Sequence, residues 1–269
     1  MRIALFVEGS PPAGSKTDHC KALWNVTLLP ALGCRPADII VPFGKDAIAR
    51  MCGLRTSTSA PGLDTKIAAT RKEHQLDPER DAIVVAWDIE PIDPGQRRCA
   101  WDEKRDIYRG IASSPLLQDT AWARDAAARH ALLQSRKDQP PTGQSHAKLR
   151  PGAVLGLCME PMFEALLARD GRAIRRALGL ASDPPDWPTG WGTFERDPSK
   201  RLLARAIDSM RRLRPRPEVR RTIRENWQNA KDEWGDYLLR KLLADPVQST
   251  AIREHPISAR LRHIMPAIQ

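Results

Sequence analysis

The sequence predicts an α/β fold: a mostly parallel sheet flanked by helices, followed by an α-helical, basic C-terminal region. Three observations carry this reading. Short, branched, apolar runs recur within the first 168 residues, and they are apolar on both faces, as buried parallel strands are. Helical periodicity fills the intervals between them, the alternation expected of βα units. Beyond about residue 170 strand-like runs stop, and Lys and Arg accumulate.

In order, residues 2–8 form the first strand and lead into a Gly/Pro/Ser loop at 9–15. A helix over about 16–32 carries an apolar stripe of Ala22, Trp24, Val26, Leu28, Leu29 and Leu32, with Gly33 as its stop. Ile39-Ile40-Val41-Pro42-Phe43 is the second strand, with a short helix over 46–51 after it. A Gly/Ser/Thr/Pro loop at 53–65 and a helix over about 65–74 precede the third strand, 82–88. Helices are expected over 101–112 and 118–135, then a fourth strand over 153–159 and a helix from Met162 to about Ala168. The C-terminal helices are expected over 172–178, 200–213, 218–243 and 250–264, separated by prolines. The division is therefore 1–168 for the sheet-containing domain and 169–269 for the helical region.

The net charge of +10 is unevenly spread. Residues 169–269 hold 21 Lys/Arg against 13 Asp/Glu, a net of +8. Between Arg196 and Arg224 lie 11 basic and 3 acidic residues. Arg201, Arg205, Arg212 and Arg220 or Arg221 are placed to line one helical side, and a guanidinium fork suits phosphate oxygens. Nucleic acid is the favoured partner of that region, with an acidic protein surface as the alternative. Trp227 and Trp234, seven apart, share a helix face suited to packing or to an oligomer seam.

No run approaches 18 apolar residues, so a membrane span is not expected. The apolar stretch before Glu8 is too short for a secretory leader, and a cytoplasmic location is expected. The five cysteines are scattered without a C-x-x-C pair, which suits ordinary thiols in a reducing compartment. The six histidines form no H-E-x-x-H, and there is neither a P-loop nor a G-x-S-x-G elbow.

What stands out is where the acids fall. The first strand closes on Glu8-Gly9, the third on Asp88-Ile89-Glu90, and the fourth on Glu160. Open α/β sheets place their ligands beyond strand C-termini. Acids gathered there suit a hard divalent cation, Mg²⁺ or Mn²⁺, holding a phosphate. Asp88 and Glu90 are the expected ligands, and Glu8 serves a second metal or acts as general base. Glu160 and Glu164 are candidate further ligands. Each acid also has a plainer role open to it. Glu8 suits a loop cap, Asp88 an Asx-turn ahead of Pro91, Glu160 a helix-start acid and Glu164 a structural partner of an arginine or a backbone N–H.

The pairing of Glu8-Gly9 after one strand with Asp88-x-Glu90 after another resembles the Toprim domain of topoisomerases, primases and some nucleases. Glu90 departs from the family's second Asp. The stretch Met159-Glu160-Pro161-Met162-Phe163-Glu164-Ala165-Leu166-Leu167 is similar to a helix of small stand-alone prokaryotic Toprim-like proteins. The resemblance implies a Toprim-like Rossmannoid sheet, metal-dependent phosphodiester hydrolysis in anti-phage defence, and association with an ABC- or SMC-like ATPase. A non-catalytic Toprim-like regulatory subunit of such a complex is the alternative.

Overall fold

A computed structural model describes residues 1–8, 20–54, 61–88, 100–135, 148–159, 163–167, 171–182 and 231–268. Four strands, β1 (Ile3–Glu8), β2 (Ile39–Phe43), β3 (Ala82–Asp88) and β4 (Val154–Met159), form one all-parallel sheet in the order β2-β1-β3-β4. The register pairs Val7 with Pro42 on one side and with Ala86 on the other, and Asp88 with Met159. The α/β class is as the sequence predicts, and each strand falls within a residue of its expected position. Pro42 is tolerated because β2 is an edge strand.

Helices cover both faces. On one lie α2 (Lys45–Met51), α3 (Leu63–Glu73), α4 (Ala100–Ser113) and α5 (Ala121–Gln134). Their buried Ala47, Ile48, Leu63, Ile67, Ile111 and Trp122 pack on Ala4, Phe6, Ile83, Val85 and Trp87. Gly156 of β4 makes room for Trp122, whose indole occupies the space a Cβ would need. Thr120 caps α5 by accepting the Ala123 N–H at 3.1 Å.

The other sheet face is covered by α1, which spans Ala22–Leu28 as a π-helix and continues through Leu29–Ala31. Its wide turn has a visible correlate: the Leu29 N–H reaches back to the Trp24 carbonyl, one residue ahead of Pro30, which has no N–H to give. Gly33 ends the helix at φ +71°, the left-handed conformation its expected role as a stop requires.

The described C-terminal helices share apolar contacts with the sheet-containing part. The same core that holds Ile3, Leu5, Val7, Val84, Leu155 and Leu157 also takes in residues of α6 (Gly171–Leu178), α7 (Lys231–Leu243), α8 (Pro246–Glu254) and α9 (Pro256–Ile264). Among them α9 packs against β4, and α7 packs against α1 and α6. Thr27 of α1 donates a 2.5 Å hydrogen bond to the buried Asp236 carboxylate of α7, which also pairs with Arg240. The tail closes the structure: Cys34 bridges antiparallel to Ala267, and the Arg35 N–H donates to the Pro266 carbonyl at 2.7 Å.

Two local expectations also change. The helix anticipated over 250–264 is two helices, because Pro246 and Pro256 each start one at its first turn, capped by Asp245 and by His255 Nδ1. The helix from Met162 is described as a 3₁₀ turn over Phe163–Leu166. No described helix is long and apolar enough to cross a membrane. Cys20, Cys34, Cys52 and Cys158 are unbridged, and burial pushes the Cys34 thiol up to about 11 and the Cys52 thiol up to about 12.

Candidate functional site

Strand order decides where a ligand crevice can lie. From β1 the chain crosses to β2 on one side, and β3 and β4 add on the other. The order therefore reverses between β1 and β3, the position at which open α/β sheets bind their ligands beyond the strand C-termini. Glu8 and Asp88 are the last residues of those two strands.

Their geometry follows from the pleat. Val7 stands opposite Ala86, so Glu8 is level with Trp87 and Asp88 lies one residue beyond. Ala4 and Phe6 belong to the α2–α5 face, and alternation assigns Glu8 to the same row. Val84 and Ala86 belong to the opposite face, and Asp88 continues their row. Glu8 thus meets the Asp88 main chain: its Oε2 accepts the Asp88 N–H at 2.9 Å. Asp88 Oδ1 in turn accepts the Phe163 N–H at 2.9 Å. One line of hydrogen bonds joins the tip of β1, the tip of β3 and the turn after β4. Both residues are partly buried.

Phe163 is a site residue that the sequence reading did not single out for this role. Its ring sits 5.7 Å from Trp24, centroid to centroid, which holds the turn against α1. Arg260 is another. It is a buried cation of α9 whose Nη1 donates to the Cys158 carbonyl at 3.3 Å, covering the outer side of edge strand β4. Neither has a local sequence signal, since their partners lie 75 and 102 residues away.

The remaining expected residues are not brought to the site by the described structure. Glu90, Glu160, Arg201, Arg205, Arg212, Arg220 and Arg221 lie outside the described residues, as does the side chain of Glu164. Among the described residues no three His, Cys, Asp or Glu side chains come together as a metal-holding group. The described carboxylates at the switch point are Glu8 and Asp88, each with an oxygen engaged by a main-chain N–H. Mg²⁺ prefers oxygen, keeps several waters and needs only one or two carboxylates beside a substrate phosphate. Metal-ligating carboxylates are themselves commonly held by hydrogen bonds, as these two are.

No protein-family model matches the chain, and no curated protein or solved structure matches it.

Proposed function

We propose that the chain is a Mg²⁺- or Mn²⁺-dependent Toprim-like nuclease, or the nuclease subunit of a larger assembly, that hydrolyses phosphodiester bonds in DNA or RNA. One observation supports this reading above the others: two carboxylates from separate segments, Glu8 and Asp88, end neighbouring strands at the point where the sheet order reverses. Asp88 and Glu90 would hold the ion, with Glu8 beside them. The metal, when bound, supplies positive charge to the phosphate oxygens. Glu8 orients or deprotonates the attacking water, and its hydrogen bond to the Asp88 N–H fixes its reach. The arginines between 196 and 224 supply a phosphate-binding surface. The resemblance extends the proposal to a role in anti-phage defence beside an ABC- or SMC-like ATPase, and a cytoplasmic location and a homo-oligomer complete the reading.

A second reading is a non-catalytic Toprim-like regulatory or interaction subunit of an ATPase-containing complex. It is favoured by a specific feature: both carboxylates already fasten main-chain N–H groups across the sheet edge, a structural task that needs no turnover.

Incubation with plasmid, single-stranded DNA and RNA in Mg²⁺ or Mn²⁺ separates the two. Glu8→Gln and Asp88→Asn retain an acceptor for the N–H bonds while removing the charge. Cleavage by the parent protein, lost in both variants at unchanged thermal stability, is the expected result. Binding of nucleic acid without cleavage under every metal, with an ATPase partner present, would establish the second reading instead.

A further inference from the structure

Phe163 opens a 3₁₀ turn of only four residues, Phe163–Leu166. So short a turn has few hydrogen bonds of its own, and its place is decided by what it packs against. We infer that Phe163 is a positioning residue for the Asp88 carboxylate, and that the Trp24 ring of α1 is the surface that sets it. The inference rests on the nuclease reading, since it concerns Asp88 as a ligand of the divalent ion.

The N–H at the start of a helical turn has no acceptor within that turn. Phe163 gives this N–H to Asp88 Oδ1 at 2.9 Å, across 75 residues of sequence. Strand pairing with Met159 fixes the Asp88 main chain but not its side-chain torsions. The terminal torsion of an aspartate is broad and soft, so the backbone alone leaves the carboxylate plane undetermined. A charge-assisted hydrogen bond to one oxygen removes that freedom. The position of the Phe163 N–H therefore dictates how the Asp88 carboxylate is turned. Groups that hold a ligating carboxylate in this way orient it toward its ion.

Two anchors hold the turn. At its far end Leu166 and Leu167 are buried, and Leu167 lies beside Gly235 of α7. These leucines hold their end whatever stands at position 163. At its start the Phe163 ring lies 5.7 Å from the Trp24 ring, centroid to centroid and tilted by 42°. Aromatic pairs attract at that spacing beyond what burial alone supplies. Trp24 is buried in the core, whereas Phe163 is only partly buried, so Trp24 is the fixed member of the pair. The hydrogen bond from Thr27 to Asp236 ties α1, which carries Trp24, to α7. Both anchors of the turn thus belong to one braced pair of helices. A space-filling role at 163 is met by any apolar side chain of similar bulk. Positioning needs the ring.

The test compares the full chain with Phe163→Leu, which keeps the main-chain N–H and the apolar bulk but not the ring, and with Phe163→Tyr, which keeps the ring. Phe163→Met replaces the leucine variant if that one fails to melt cooperatively. Electron paramagnetic resonance reads Mn²⁺ affinity, and NMR without metal reads the Asp88 carboxyl carbon and amide exchange at position 163. Plasmid cleavage is followed in parallel. In Phe163→Leu the expected result is Mn²⁺ bound about 10–100-fold more weakly, a displaced Asp88 carboxyl resonance and faster exchange at position 163. Cleavage should then need more Mn²⁺ at an unchanged KM for nucleic acid, and Phe163→Tyr should restore all of these. Mn²⁺ affinity and an Asp88 resonance equal to the parent's in Phe163→Leu overturn the inference and leave the nuclease reading standing. Equal weakening by leucine and tyrosine does the same. A parent chain that neither binds Mn²⁺ nor cleaves overturns the nuclease reading, and this inference with it.

Discussion

The carboxylate of Glu8 grips the main-chain N–H of Asp88, 80 residues away, at 2.9 Å. The two acids end adjacent parallel strands, yet the pleat assigns them to rows on opposite faces of the sheet. What Glu8 reaches is therefore the backbone of its neighbour. The contact ties the tips of β1 and β3 together, and Asp88 extends it to the turn after β4 through the Phe163 N–H.

Replacing Glu8 with Ala leaves the Asp88 N–H without this acceptor, whereas Gln retains one. Glu8→Ala should lower stability by about 1–3 kcal/mol and Glu8→Gln by clearly less. Urea denaturation followed by far-UV circular dichroism measures both. Equal losses would show that the charge, not the hydrogen bond, is what the fold uses.

Asp81 makes stability pH-dependent in a defined window. Burial alone would raise its pKa, but hydrogen bonds from the Arg2 N–H, the Arg2 guanidinium and the Asp77 N–H outweigh that and hold it at about 2. In the unfolded chain an aspartate titrates near 3.9, at about the ordinary value. The folded value is the lower one, so the unfolded state takes up the proton first. The contribution is complete above about pH 4 and is lost as pH falls toward about 2. The stability difference between the parent chain and Asp81→Asn should be constant at neutral pH and shrink over that acid range. Chemical denaturation at a series of pH values reads it directly, and a difference that does not change with pH contradicts the assignment.

Gly156 should tolerate no side chain while Trp122 is present. A Cβ at position 156 overlaps the Trp122 indole, so Gly156→Ala forces the ring or the strand to move. A loss of about 1–3 kcal/mol or more is expected. Combining it with Trp122→Leu should cost less than the sum of the two single changes, because the smaller side chain vacates the contested space. Strict additivity in a double-mutant cycle would remove steric overlap as the cause.

Deleting residues 231–269 should abolish folding of the remainder. α7, α8 and α9 contribute Leu238, Leu239, Leu242, Ile252, Ile257, Leu261 and Ile264 to the core over the sheet, and Asp236 meets the buried Thr27 hydroxyl. Their removal bares the apolar sides of α1 and β4 that α7 and α9 cover. The expected product lacks near-UV circular dichroism and binds a hydrophobic dye. A cooperatively melting 1–230 fragment would mean that the last three helices are dispensable.

The elements were legible because they depend on local pattern. The buried strands announced themselves as short branched runs, Gly33 as the end of α1, and Glu8 and Asp88 as acids at strand tips. Pro246 and Pro256 were legible as breaks, but the helix start was placed at 250, because a proline that ends one helix also starts the next at its first turn. Which surface the C-terminal helices bury was not legible, for a different reason. A basic composition marks the exposed side of a helix and says nothing of which surface its leucines bury.

By itself the sequence determined the period and order of the elements and the chemistry at their ends. Only the tertiary structure decided that β1 and β3 are neighbours, that Glu8 binds the backbone of Asp88, and that the last three helices close the same core as the first strand. The physical reason is range. Strand and helix periods are set by adjacent residues, whereas these contacts join groups 75 to 209 residues apart. Which of them form is settled by burying both faces of one sheet together.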